Sequence, residues 1–266
     1  MPNLTDTTIA VFGGVYNNYL SLEATLAHAR QSGASALYCL GDLGGFGPHP
    51  DRSIAQLRDQ HDIHVMQGNY DHSLGNRLGD CACGYTDPRD NYFAQLSYDY
   101  TFANTSEHHK DWLRDLPTGF RHRWAGKEVL MAHGSPRRIN EFLWESTTPD
   151  GFLEHLLASR NIDALFITHT GIPWMRRLDS GRLVVNVGAI GRPANNGLTT
   201  VDYVLVELQG DTLDASLQAI PYDHERLASE MRAEGLPEEF VETVLTGYWT
   251  TCTEVLPARE RARGKY

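Results

Sequence analysis

Apolar and polar positions alternate along the first third of the chain in a strand–helix order. Thr8-Ile9-Ala10-Val11-Phe12 is a short apolar run and predicts a strand. Within Leu20–Gln31, Leu20, Leu22, Leu26 and Ala27 recur on one face of a helix, and Ala36–Leu40 predicts the second strand. A helix over Asp51–Asp59 and a third strand, His64-Val65-Met66, follow. The second and third strands run into Gly41-Asp42-Leu43-Gly44-Gly45 and Gly68-Asn69-Tyr70-Asp71. This order predicts a mostly parallel sheet whose strand ends carry loops at one edge, the place where open α/β sheets bind ligands.

The pattern changes from Ser73 to about Trp124. Gly75–Tyr92 is polar and irregular, carrying Cys81, Cys83 and the turn Asp87-Pro88-Arg89-Asp90. Asn104-Thr105-Ser106-Glu107 then starts a helix that stops at Pro117. Residues 75–124 therefore predict a cap or lid laid over the site. Strands resume at Val129-Leu130-Met131, Ala164–Ile167 and Leu183-Val184-Val185, which run into His133-Gly134-Ser135-Pro136, Thr168-His169-Thr170 and Asn186-Val187-Gly188. Tyr203–Leu208 adds one more strand, so residues 1–221 read as one α/β domain. Residues 222–266 read as a helical extension, with Leu227, Met231, Leu236, Phe240 and Val244 at helical spacing and Trp249, Cys252 and Leu256 extending the apolar face. Such a face packs back on its own domain or forms a homodimer contact.

Composition narrows the classes. The chain has 266 residues, 41% of them hydrophobic, which is enough for a large core. A net charge of −11 argues against a nucleic-acid-binding surface. No apolar stretch is long enough to span a bilayer, and Met1–Thr8 has no export pattern, so a cytoplasmic protein is expected. Four cysteines in a chain of this size predict reduced thiols rather than a disulfide scaffold.

Asp42 on its own reads either as a cation ligand at a strand end or as the cap of the helix near Asp51. Five motifs in order, each after a predicted strand, decide between these: Gly41-Asp42, Gly68-Asn69-x-Asp71, His133-Gly134-Ser135-Pro136, Thr168-His169-Thr170 and Asn186-x-Gly188. From about Thr8 to about Leu208 the chain resembles the calcineurin-like metallophosphoesterase superfamily, in particular its small bacterial phosphoesterase branch. The resemblance implies a four-layer αββα sandwich of two mixed sheets flanked by helices. It also implies two divalent metals bridged by an aspartate, with a water attacking phosphorus. Carried over, the bridging position falls on Asp42, and the second metal's other ligands on Asn69, His133 and His169. Oxygen and imidazole donors of this mix suit Mn, Fe or Zn.

The first metal's ligands are missing. Where the family has Asp-x-His, this chain reads Gly14-Val15-Tyr16, and the last His of the Gly-His-x-His pattern has become Gly171. The catalytic His of Gly-Asn-His-Asp is replaced by Tyr70. Loss confined to one metal reads as a different site design rather than decay. Three designs stay open: Tyr16 as a phenolate ligand of iron, Cys81 and Cys83 as soft ligands from the lid, or a single metal assisted by side chains. Arg89, Arg137 and Arg138 are candidate phosphate clamps, or else solvated surface arginines. Tyr70, His72 and His49 are candidate proton donors, and Asp71 would orient whichever acts. The expectation is a metal-dependent phosphoesterase with one or two ions, acting on a phosphorylated small molecule. A non-hydrolytic binder of such a ligand and an iron enzyme of other chemistry are the alternatives.

Overall fold

In β1 (Thr7–Phe12), Ile9 and Val11 point to one side and Ala10 and Phe12 to the other, and both sides are buried. A strand covered on both faces must lie between two layers, and the rest of the chain supplies them. The computed structural model describes residues 6–266; of Met1–Thr8, read above as lacking an export pattern, residues 1–5 lie outside it. After β1 come α1 (Tyr19–Gln31), β2 (Ala34–Cys39), α2 (Pro50–Arg58), β3 (Ile63–Val65) and α3 (Asn69–Gly75). Next are α4 (Pro88–Asn104), α5 (Glu107–Asp115), β4 (Phe120–Trp124), β5 (Lys127–Met131), α6 (Asp150–Ala158) and β6 (Ala164–Ile167). The chain continues through β7 (Trp174–Arg177), β8 (Leu183–Asn186), β9 (Val201–Gln209) and β10 (Thr212–Ile220) to α7 (His224–Ala233), α8 (Glu238–Thr246) and α9 (Ala258–Arg261).

Two five-stranded sheets form, in the orders β10-β9-β1-β2-β3 and β4-β5-β6-β8-β7. Each has a parallel centre and antiparallel partners: β1, β2 and β3 run parallel with β9 opposed, and β5, β6 and β8 run parallel with β4 and β7 opposed. Ile9, Val11, Val204 and Val206 of the first sheet meet Val129, Met131, Phe166 and Val185 of the second in a core between them. Ala10 and Phe12 face α1, α2 and the C-terminal helices, whereas Leu165 and Val184 face α6 through Leu153, Leu156 and Leu157. The αββα sandwich expected from the motifs is the architecture found.

Several elements depart from the sequence reading. The strand β4, Phe-Arg-His-Arg-Trp, belongs to the second sheet rather than to the cap, whose helical part ends with α5. Two arginines and a histidine on an edge strand hid its alternation. The helix α4 starts inside the stretch expected to be irregular: Asp87 caps it by accepting from the Arg89 and Asp90 amides, and Pro88 takes the first turn. Asp42 caps no helix, since α2 begins after His49. Helix α6, strand β7 and the long hairpin partner β10 carried no recognised pattern. The apolar face of the C-terminal helices packs on its own domain, with Leu227, Met231, Phe240 and Val244 inside the first core cluster. Among the described residues no helix is long and apolar enough to cross a membrane.

Helix α5 is tied to α2 at Asp51, whose carboxylate accepts from the Ser106 amide at 2.9 Å and from His109 Nδ1 at 2.7 Å. Burial works against this carboxylate, but the bonds from His109 and Ser106 outweigh it and hold its pKa below the usual range. A depressed carboxylate stabilises the fold above its unfolded pKa, and the contribution fades as pH falls through the folded value. Asp51→Ala is expected to lower stability by about 1 kcal/mol at neutral pH. In paired thermal melts the difference from the unsubstituted protein should shrink below about pH 4.

Candidate metal centre

Four loops at one edge of the sandwich build the centre: those after β2, β3, β5 and β6 deliver Asp42, Asn69, His133 and His169. Two glycines let the first two loops touch through their backbones. A Cβ on Gly41, at φ +87°, would lie 2.0 Å from the Gly68 nitrogen, and one on Gly68 would lie 2.2 Å from Asp42 Oδ1. Asp71 locks the contact, accepting from the amides of Asp42 (2.7 Å), Leu43 (2.9 Å) and Gly68 (2.8 Å). Asp42 and His169 themselves hold left-handed backbone, at φ +55° and +57°, a strain that a packed site sustains.

The functional atoms converge. Asp42 Oδ1 accepts from the Tyr70 amide at 3.0 Å, leaving Oδ2 at 3.2 Å from His133 Nε2. His133 Nδ1 donates to the Leu40 carbonyl at 2.7 Å, which sets the tautomer and turns Nε2 inward. His169 Nδ1 lies 3.2 Å from the same Nε2, and one ligand atom from each of the three residues falls within 4.8 Å of the others. Asn69 Nδ2 donates to the Cys81 carbonyl at 2.9 Å, while its Oδ1 is buried with no partner.

Burial alone would raise the Asp42 pKa, but His133, His169 and the Tyr70 amide outweigh it and lower it. Burial likewise opposes a charged His133, and Asp42 overcomes it and raises that pKa. Burial and the adjoining His133 push His169 down to about 3, so its imidazole is neutral and offers a lone pair. An oxygen and two ring nitrogens thus face one another with a single proton to share, beside an amide oxygen that has no donor. A divalent cation satisfies all four, and one carboxylate, one amide and two imidazoles are donors that first-row metals accept.

The centre opens on a cavity of about 50 Å³. Asp42, Asn69 and His169 form one wall, Tyr16, Arg192 and Cys252 line it as well, and Tyr70, Tyr85, Phe93 and Phe240 add aromatic surface.

Residues 8–211 match the model of the calcineurin-like phosphoesterase superfamily domain, more than half of the chain. The chain belongs to this superfamily. Two solved structures share the fold over nearly the whole length. Hypothetical protein PH1004 from Pyrococcus horikoshii OT3 is 22% identical over 92% of this chain and all of that one, with a TM-score of 0.76. A metallophosphoesterase from Sphaerobacter thermophilus is 23% identical over 91% of this chain and 99% of that one, with a TM-score of 0.70. The uncharacterized protein MJ0912 of Methanocaldococcus jannaschii is 22% identical over 92% of this chain and its own entire length. Calcineurin-like phosphoesterases work with divalent metals, and the Asp42–His133–His169 cluster is where this chain can hold one.

The structure brings Asp42, Asn69 and His169 together with Tyr16 and Tyr70 at the cavity, with His133 clustered behind Asp42 and His169, and leaves other candidates elsewhere. Cys81 and Cys83 are joined to each other, where reduced thiols were expected, so neither sulfur is a free thiolate for a metal. They do reach the site, since Asn69 Nδ2 lies 3.5 Å from Cys83 Sγ. His72 sits on the exposed side of α3 against Asn76, and His49 pairs with Glu230 at 3.4 Å. Arg137 pairs with Glu141, Arg138 is exposed, and Arg89 donates to the Thr250 carbonyl at 2.7 Å while stacking on Phe93. None of these three arginines lines the cavity; they are held by nearer partners or by solvent. Asp71 orients backbone rather than Tyr70, whose hydroxyl donates to Ser97 Oγ at 3.0 Å.

Arg192, Trp249, Tyr85 and Cys252 were not anticipated. Arg192 carried one signal, its place in Gly191-Arg192-Pro193 just beyond the Asn186-x-Gly188 motif at the same sheet edge. The other three come from the cap and the extension, where no motif marks a site residue.

Replacing Asp71 with Ala would leave three amides unsatisfied in the two loops. Asp71→Ala is expected to destabilise the protein by about 3 kcal/mol or more, read from denaturant midpoints. Asp71→Asn, which keeps an acceptor oxygen, should cost visibly less.

Proposed function

We propose that this protein is a single-metal phosphoesterase, its ion a divalent Mn, Fe or Zn held by Asp42, Asn69, His133 and His169. The observation that carries the reading is the buried Asp42–His133–His169 cluster, with Asn69, whose Oδ1 is buried without a partner, lining the same cavity as Asp42 and His169. Such an ion would polarise a phosphoryl oxygen and lower the pKa of bound water. The chain's own residues do the rest. The neutral imidazole of His169 and the low-pKa carboxylate of Asp42 remain available as ligands without first losing protons. The tautomer of His133 is fixed by Leu40, so the donor set is organised before any ligand arrives.

The cavity bears on the substrate. Asp42 and His169 share its lining with Arg192 and with aromatic side chains, a wall that suits a phosphorylated small molecule. Burial pushes the Tyr70 phenol up, so it stays protonated, and its hydroxyl is held by Ser97 Oγ. Burial raises Tyr85 and Tyr16 as well, so the wall presents neutral hydroxyls.

Elemental analysis of the purified protein is expected to find about one transition metal per chain, with hydrolysis of a chromogenic phosphomonoester lost on chelation and regained on re-addition. Asp42→Asn and His169→Ala should each abolish metal retention. Metal kept by both variants, or two metals per chain, would sink the assignment. Metal retained without turnover of any ester would favour a binding protein. Gly171→His alone should not recruit a second ion, because position 171 has φ +70°, a backbone that strains an L side chain, and Gly14 and Tyr16 would still stand where the family pattern has Asp and His. The readout is metal per chain, unchanged from the parent.

A further inference from the structure

The half of the centre without ligands is bordered by Tyr16, Trp249 and Arg192. Gly14 stands where the family pattern has its aspartate, at φ +57°, and a Cβ there would lie 2.7 Å from Ala189 Cβ, 3.0 Å from Tyr16 Cζ and 3.1 Å from the Tyr16 hydroxyl. The phenol end of Tyr16 thus covers the place a side chain at position 14 would use. Gly171 stands where the pattern has its last histidine, and a Cβ there would meet the Trp249 ring at 3.4 Å and Arg192 Nη2 at 3.7 Å.

Arg192 is only 7% exposed and lines the same cavity as Asp42 and His169. Its guanidinium carbon lies 3.5 Å from the centroid of the Trp249 ring, 5.7 Å from that of Tyr16 and 5.8 Å from that of Phe46. Among the described residues it makes no hydrogen bond and no ion pair, and its Nε is buried without a partner. Stacking on aromatic faces returns part of the solvation a buried guanidinium loses, but supplies no acceptor for its N–H groups. The position is built rather than incidental. Trp249 is anchored by its indole N–H on the Pro193 carbonyl (2.6 Å) and its amide on Asn195 Oδ1 (2.8 Å). The Gly191 amide donates to the Gly14 carbonyl at 2.7 Å, tying the arginine's loop to the altered one.

From this geometry we infer that Arg192 is a fixed cation standing in place of the missing metal, and that its ligand is a tetrahedral oxyanion, the phosphoryl group of the substrate. The planar fork of N–H donors pairs with two oxygens of such a group, and the neighbouring cluster that can hold a metal favours a phosphoryl group over a carboxylate. The inference rests on reading the cavity as a phosphate site, and it names the residue that receives the phosphate.

The test is calorimetric titration of inorganic phosphate into the full chain, with and without prior chelation, at two salt concentrations. Metal-free protein is expected to bind phosphate, more weakly at higher salt. Arg192→Gln should weaken that binding at least tenfold while leaving metal per chain unchanged, and Arg192→Lys should fall between, keeping the charge but losing the fork. Phosphate affinity unchanged in a folded Arg192→Gln protein would overturn the proposal. A crystal of the unsubstituted protein soaked in phosphate asks the same question without a variant. Phosphate on the Arg192 N–H groups supports the assignment, and phosphate elsewhere, or none, overturns it. Phosphate bound at Arg192 in a protein that hydrolyses no ester would sink the hydrolase reading and leave this one standing. Ester hydrolysis with phosphate binding indifferent to Arg192 would do the reverse.

Discussion

The carboxylate of Asp71 touches no ligand, yet the site depends on it. By accepting three backbone amides it clamps the loop that carries Asp42 to the loop that carries Asn69, where two glycines have removed the side chains that would hold those loops apart. Burial and the charge of Asp42 push its pKa up to about 6, and the amides of Gly68 and Leu43 pull the other way. The left-handed backbone of Asp42 persists because this clamp and the Tyr70 amide fix it on both sides. From there the remaining geometry follows: Asp42 Oδ2 faces His133, His133 is set by Leu40, and His169 completes the cluster.

The layered fold was largely legible in the sequence, because the strands that end in motifs are the buried, parallel ones. Ala164–Ile167 and Leu183–Asn186 are covered on both faces and read as continuous apolar runs. What escaped were edge strands and helices whose composition follows exposure. Phe120–Trp124 alternates bulky and charged residues at the margin of its sheet, and Asp150–Ala158 has only a few buried leucines. The candidate metal ligands were legible for a different reason: each lies within a few residues of a strand end, so position in the chain encodes position in space. Arg192, Trp249 and Cys252 reach the cavity by tertiary packing from loops. No local pattern distinguishes them from Arg137 or Arg138, which sit beside a motif and take no part in the cavity.

The C-terminal extension lies beyond the residues matched by the superfamily domain, yet it forms one side of the cavity. Phe240, Thr251 and Cys252 line it, and Trp249 supplies the platform for Arg192. The two solved structures and the archaeal relative align over more than nine-tenths of this chain, so likeness to them runs well past the superfamily domain. The extension is therefore part of the site's architecture rather than an appendage to it. Its cores merge with those of the domain, since Leu227, Met231 and Phe240 share a cluster with Phe12 and Tyr19.

The substitution at Gly14 and the burial of Arg192 gain a common meaning when formal charges are counted. A divalent ion together with one carboxylate ligand carries a net single positive charge, and so does a guanidinium. Exchanging the one for the other leaves the electrostatic sum of the centre unchanged, provided that nothing else nearby ionises. Tyr16, Tyr85 and Cys252, titratable neighbours of Arg192, are all shifted upward by burial and stay neutral. Under the proposal above, that charge belongs to the covalent structure of the chain, where no chelator can remove it.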